Sequence, residues 1–179
     1  LGVEGHFEAK NPWMPYHEFL TESMAKIVGA KPIEVVVMNT LTTNLHLLMV
    51  SFYNPTPKRC KILIESDAFP SDRYAVQTQL EYHGFDSKEC LVEWTPRDSE
   101  NLLQIEDLEQ ILEEQGDEIA LLLIGGVNYY TGQYLDLKKI AELGHAKGCK
   151  VGIDLAHGAG NIQPDLHCSG VDFAAWCTY

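Results

Sequence analysis

Short apolar runs alternate along this chain with stretches of helical periodicity. Six runs, 34–39 (EVVVMN), 61–65 (KILIE), 90–94 (CLVEW), 119–124 (IALLLI), 149–154 (CKVGID) and 171–177 (VDFAAWC), have the length and near-continuous apolarity of strands buried on both faces. Between them, helical spacing covers 43–53, 71–83, 105–115 and 137–147, with a further helix candidate at 16–28. In the stretch 105–115, Ile105, Leu108, Ile111 and Leu112 share one face, so the acidic residues of 106–118 form the solvent side of an amphipathic helix rather than a partner-binding patch. Strands alternating with helices predict an α/β fold, a mostly parallel sheet with helices on both faces. No internal repeat, low-complexity tract or linker interrupts the 179 residues, which are expected to form part of one domain.

Charge narrows the partners. A formal net charge of −13 and a pI near 4.8 give a field of the wrong sign for nucleic acid or an anionic membrane surface. No apolar run approaches the ~20 residues of a membrane span, and the opening LGVEGHFEAKNPW lacks the regions of a signal peptide. A soluble, cytoplasmic protein is expected. Five scattered cysteines, Cys60, Cys90, Cys149, Cys168 and Cys177, with no C-x-x-C pair, suggest reduced thiols rather than a zinc site or disulfide framework. The absence of an initiator Met, and an end inside the apolar run VDFAAWCTY, predict a piece of a longer chain.

In open parallel sheets, ligands gather beyond the carboxyl ends of the strands, where loops lead into helix N-termini. Four such loops carry chemistry. The first, MNTLTTNLHLL, opens a helix with Thr42, Thr43 and Asn44; unpaired N–H groups and hydroxyls there suit an anion, although a Thr or Asn N-cap explains the same residues. The second, SDAFPSDRYAV, offers Phe69 as a core residue or as a face for a planar ligand, with Pro70 stiffening the helix entry and Ser71 or Asp72 as a cap or an acceptor. The third, IGGVNYYTGQYLDL, combines Gly125 and Gly126 with Tyr129 and Tyr130, rim aromatics or phenolic donors, and with Asp136 as a helix cap. The fourth, VGIDLAHGAG, ends a strand at Asp154 and places His157 three positions on, as cap and core histidine or as a functional pair. As a metal pair D-x-x-H lacks further ligands, and no metal site is expected.

Together the loops would put an anion site, an aromatic face, a phenol and a buried carboxylate on one sheet edge. That inventory fits a phosphorylated aromatic heterocycle. A carboxylate buried beside a pyridine nitrogen favours the protonated ring, which is a strong electron sink, so pyridoxal phosphate is the expected cofactor.

The stretches LTTNLHLLMVSFYNPTPKR, the FPSD loop, the N-Y-Y-T-G-Q turn, D-L-A-H in place of the D-x-A-Q of cysteine desulfurases, and the final WCTY carry a resemblance. From GHFEAKNPW onward the chain resembles the large domain of fold-type I pyridoxal-phosphate enzymes of the class V aminotransferase-like branch, and within it the kynureninases. The resemblance implies hydrolytic cleavage of the Cβ–Cγ bond of kynurenine or 3-hydroxykynurenine to an anthranilate and alanine, in tryptophan catabolism and NAD biosynthesis. It also implies a homodimer acting on an amino-acid substrate, and a separate small domain and N-terminal segment outside this chain. It places Leu41 and Thr42 at the phosphate, Phe69 on the ring with Pro70 and Ser71 beside it, and Asp72 near the cofactor. Asp154 would pair with the ring nitrogen, with His157 beside it; Tyr130 would be a phenol near the phosphate and a proton donor, Tyr179 another phosphate contact, and His6 a contact to the substrate's aryl ring.

Two departures matter. Gly125 stands where the family usually has Ser, so a hydroxyl contact to the cofactor is lost or replaced by backbone. The Schiff-base lysine is expected immediately after Tyr179, which leaves this piece alone inactive. Lys150 does not substitute: four strand residues put it roughly 13 Å from Asp154, at the opposite end of the strand. Lys138, Lys139 and Lys147 lie on a helical pattern where exposed lysine is ordinary. The competing readings are a cysteine desulfurase or aminotransferase of the same branch, a non-catalytic cofactor-binding relative, and an Asp/His metal hydrolase.

Overall fold

A computed structural model describes residues 1–98 and 100–178. Its regular elements are, in chain order, α1 (Thr21–Val28), α2 (Leu41–Phe52), β1 (Lys61–Glu65), α3 (Pro70–Tyr82), α4 (Ser87–Cys90), β2 (Leu91–Trp94), α5 (Ile105–Gln115), β3 (Ile119–Gly125), α6 (Leu137–Ala146), β4 (Lys150–Asp154), α7 (Leu166–Ser169) and β5 (Phe173–Ala175). The strands form one sheet in the order β2-β1-β3-β4-β5, every neighbouring pair parallel.

Parallel strands need crossovers, and the crossovers bury both faces of the sheet. Leu63, Leu122, Ile124, Val151 and Ile153 point to one side, into a cluster with Leu108 and Leu112 of α5 and Ile140 of α6. Ile62, Ile64, Leu121 and Leu123 alternate to the other side, against Leu45 and Met49 of α2 and Val76 and Leu80 of α3. Chain order reverses between β1 and β3: β1 leads outward to β2, and the chain then returns past β1 to build β3, β4 and β5. Helices therefore leave β1 and β3 on opposite sides, and a crevice opens at the carboxyl ends of the strands between them.

The segment 34–39, expected to be a strand, is not one. Pro32–Glu34 forms a 3-10 turn, and 35–39 continues without joining a ladder among the described residues. Its valines supply strand propensity but no partner for the backbone, and propensity without pairing does not make a strand. Asn39, at φ 44°, then turns the chain directly into α2. The candidate helix 16–28 splits into a 3-10 turn at Tyr16–Glu18 and α1.

Two long-range pairings were invisible in the sequence. Because β1 and β2 are neighbours with Ile62 opposite Leu91, Cys60 and Cys90 end with their sulfurs 3.0 Å apart, both as free thiols. At the amino end of β4, Lys150 meets Asp172 at 2.7 Å, which holds this lysine at the far edge from Asp154. Lys139 and Lys147 pair with Glu109 and Glu113 of α5.

Gly152 in the middle of β4 is a packing requirement. A Cβ there would lie 2.1 Å from Cζ of Phe173, whose ring packs on Phe52 at 5.0 Å between centroids. Gly152→Ala should therefore destabilise the fold by about 2–3 kcal/mol through overpacking, read as a lowered urea midpoint with an unchanged slope.

Candidate functional site

The carboxyl ends of β1, β3 and β4 carry Glu65, Gly125 and Asp154, and a cavity of about 360 Å³ opens above them. Leu41, Thr42, Phe69, Ser71, Asp72, Gly125, Asp154 and His157 all line it. Four loops distant in sequence thus converge on one crevice, as their position after parallel strands requires.

The phosphate end comes from α2. This helix starts at Leu41, two residues earlier than its periodicity suggested, and no side chain caps its start: Thr40 Oγ1 bonds Thr43 Oγ1 at 3.0 Å, and Asn44 Nδ2 reaches back to the Met38 carbonyl at 2.8 Å. No acidic residue occupies its first turn. Uncapped N–H groups at the positive end of a 12-residue helix, facing a cavity, suit an anion.

The aromatic wall is Phe69. Pro70 at the first position of α3 fixes the direction of the helix, and Phe69 just before it is half exposed, with its edge-to-face neighbour Tyr129 at 5.2 Å and 86°. Pro70 itself does not line the cavity. Ser71 and Asp72 lie inside the first turn of α3 rather than at its cap.

The acid end is the unusual part. Asp154 is buried at the end of β4, and its Oδ1 accepts the Ala156 N–H at 2.7 Å. Asp72, also buried, is hydrogen-bonded to Asp154, an arrangement that needs a proton between the two carboxyls; Ser71 Oγ donates to Asp72 at 3.3 Å. Burial, then the bond to Asp154 and its charge, push the Asp72 carboxyl well above the ordinary carboxylate range. Glu65, only 4% exposed, accepts the Gly125 N–H at 2.8 Å, and burial raises its carboxyl to about 7, helped by the nearby Asp154. Three acids thus share one buried wall, and the groups that raise them are burial and one another. Such a wall is complementary to a cation.

Gly125 departs from the expectation that its backbone would serve a ligand. Its N–H is already held by Glu65, and a Cβ at this position would lie 2.7 Å from Glu65 Oε1. The space left by the missing side chain is taken by a carboxyl.

Two expected residues are not brought to the cavity. Tyr130 is 81% exposed and faces a neighbouring recess beyond Asn128. Asn128 Oδ1 accepts from the N–H groups of Tyr130 and Thr131, and this tight turn sends consecutive tyrosines to different sides, so that Tyr129 lines the cavity. His6 lies exposed in the first 3-10 turn, edge-on to Trp13 at 5.5 Å, away from the cavity. Tyr179 lies outside the described residues. Glu65, Asn128 and Tyr129 complete the lining without having been singled out as site residues. For Glu65 a signal existed: like Asp154, it is an acid that ends a buried strand. Among the described residues, no group of three or more His, Cys, Asp or Glu could hold a metal ion.

Residues 8–178 match the aminotransferase class-V family. The chain belongs to that family. Kynureninases of Myxococcus xanthus and Koribacter versatilis are 57% and 58% identical to it over all 179 residues, and that of the sea anemone Nematostella vectensis is 53% identical. The chain spans about 42% of the length of the two bacterial relatives and 38% of the third. The cysteine desulfurase CsdA of Escherichia coli shares the fold, with a TM-score of 0.76 at 18% identity over 89% of this chain and 39% of its own. Alanine–glyoxylate aminotransferase from Nostoc sp. does so with a TM-score of 0.68 at 18% identity, over 90% and 40% respectively. Class-V family members depend on pyridoxal phosphate, and the cavity fits that group: an uncapped helix start for the phosphate, an aromatic side wall, and a buried acid pair for a protonated ring nitrogen.

Glu65 and Asp72 hold their protons more tightly in the fold than in the unfolded chain, so the stability they contribute is full below about pH 4 and is lost as pH rises through about 7 and above. For the cofactor-free protein, the free energy of unfolding should fall by on the order of 3 kcal/mol between about pH 5 and about pH 8. Glu65→Gln and Asp72→Asn should each flatten that decline in urea titrations across the range.

Proposed function

We propose that this chain is the cofactor-holding part of the large domain of a homodimeric, cytoplasmic kynureninase, which uses pyridoxal phosphate to hydrolyse the Cβ–Cγ bond of kynurenine or 3-hydroxykynurenine. The products are anthranilate or 3-hydroxyanthranilate, and alanine. The observation that carries this reading is the Asp72–Asp154 pair in the wall of a cavity whose opposite end is an uncapped helix start, in a chain matched along its whole length by kynureninases at more than half identity. Likeness to the desulfurase and the aminotransferase, at 18% identity, concerns the fold alone.

Each residue then has a task. The first N–H groups of α2, at Leu41 and Thr42, hold the phosphate, with the Thr42 hydroxyl as a further donor. Phe69 covers one ring face and excludes water from it, while Pro70 and Ser71 fix the turn that carries it. Asp154 takes the ring-nitrogen proton, Asp72 steadies Asp154 through their shared hydrogen bond, and His157 packs at the same end of the cavity. Bound there, pyridoxal phosphate supplies an electron sink at the substrate carbon. The lysine that bonds it is expected to follow Tyr179 in the full-length protein. The proton donor to the departing carbon is better sought at Tyr129, which lines the cavity, than at Tyr130.

Incubating the full-length, cofactor-loaded protein with L-kynurenine should release fluorescent anthranilate and one alanine per turnover. Asp154→Ala should lower kcat/KM by about a hundredfold or more, the scale of a lost electrostatic partner. Alanine and sulfide formed from cysteine, with no anthranilate from kynurenine, would contradict the assignment.

A further inference from the structure

Glu65 stands out among the buried groups because no task above uses it. It ends β1, the strand on the other side of β3 from Asp154, and is 4% exposed. The charged groups that face it are Asp154 from β4 and Asp72 from α3; from β3 comes the Gly125 N–H, at 2.8 Å from Oε1. A buried carboxyl with no cationic neighbour is costly to keep. It is tolerated here through its hydrogen bonds, to the Gly125 N–H and to its own backbone N–H, and by staying protonated near neutrality.

The hydrogen bond leads to the acid pair. Gly125 lies opposite Asp154 in the β3–β4 register, and the next N–H, that of Gly126, donates to the Asp154 carbonyl at 2.8 Å. Gly125 is the last residue of β3, where the chain leaves the sheet for the Asn128 turn, and no side chain of its own anchors it. Glu65 reaches across from β1 and fixes that end, through the space a side chain at 125 would fill.

We propose that Glu65 is a positioning residue of this site: by holding the Gly125 N–H it locks the end of β3 against β4, and so sets the orientation in which Asp154 presents its carboxylate to the ring nitrogen of the cofactor. Glu65 touches neither the ring nor the substrate in this account, and acts through Asp154. The inference rests on the reading of the cavity as a pyridoxal-phosphate site.

The decisive feature is reach, not charge, and two variants of the full-length protein separate them. Glu65→Gln keeps the length and an oxygen acceptor for Gly125; Glu65→Asp keeps the acid and withdraws it by one methylene. Each is compared with the unaltered protein for the dissociation constant of pyridoxal phosphate, and for the pH midpoint of the absorbance change of the bound cofactor. Glu65→Asp should weaken the cofactor about tenfold, the scale of one unmade buried hydrogen bond, and should move the midpoint to lower pH because the ring proton is held less firmly. Glu65→Gln should stay within about threefold, with the midpoint little changed.

The proposal is overturned if Glu65→Asp binds the cofactor as the unaltered protein does, if Glu65→Gln is as weak as Glu65→Asp, or if both variants lower the melting temperature without moving the midpoint. Asp154→Ala run in parallel tests the underlying reading separately. If it alters neither affinity nor absorbance, the cofactor assignment fails, whereas a large effect there with a silent Glu65→Asp removes only the role given to Glu65.

Discussion

The Asp72–Asp154 hydrogen bond is the interaction on which the rest of the site depends. Two buried carboxyls can approach only with a proton between them, and burial then holds that proton on the pair. A third acid, Glu65, lies close enough to feel the same charge. Each of these groups costs stability while the cavity lacks a cation, and such strained electrostatics persist where a function needs them. A protonated ring nitrogen relieves the cost and, by the same interaction, stays protonated.

The fold explains why the acids meet. Glu65 and Asp154 end strands separated by β3, and Asp72 opens the helix that follows β1, so the parallel sheet delivers all three to one edge. The reversal of chain order between β1 and β3 opens the crevice there, and α2 brings an uncapped positive end to its other side. Positive helix start and negative wall lie on one cavity, which is a polarity matched to a ligand with a phosphate at one end and a basic ring nitrogen at the other. The charge of −13 spread over the whole chain plays no part in that recognition; the local arrangement does.

Much of this was legible in the sequence. The runs at 61–65, 119–124 and 149–154 become β1, β3 and β4 almost residue for residue, because a strand buried on both faces leaves a continuous apolar run. Placing Thr42, Phe69, Asp72 and Asp154 on one edge followed from that and from the rule that loops after parallel strands face one way. What stayed hidden depended on tertiary partners. Valines at 35–37 look like a strand but find no ladder, Tyr129 and Tyr130 are distinguished only by the Asn128 turn, and Cys60 meets Cys90 only because β1 neighbours β2. His6, chosen from a short motif, lies away from the cavity because its own turn packs on Trp13. Glu65 was readable as an acid ending a strand, yet its hold on Gly125 could be seen only in three dimensions.

The central claim is that this acid wall selects and keeps a protonated cofactor ring. Nitrogen NMR of the full-length protein loaded with pyridoxal phosphate carrying labelled ring nitrogen reads that proton directly. The account predicts a chemical shift of a protonated pyridinium that persists well above neutral pH, and its loss in Asp154→Ala. A ring nitrogen that is unprotonated at neutral pH in the unaltered protein would contradict it.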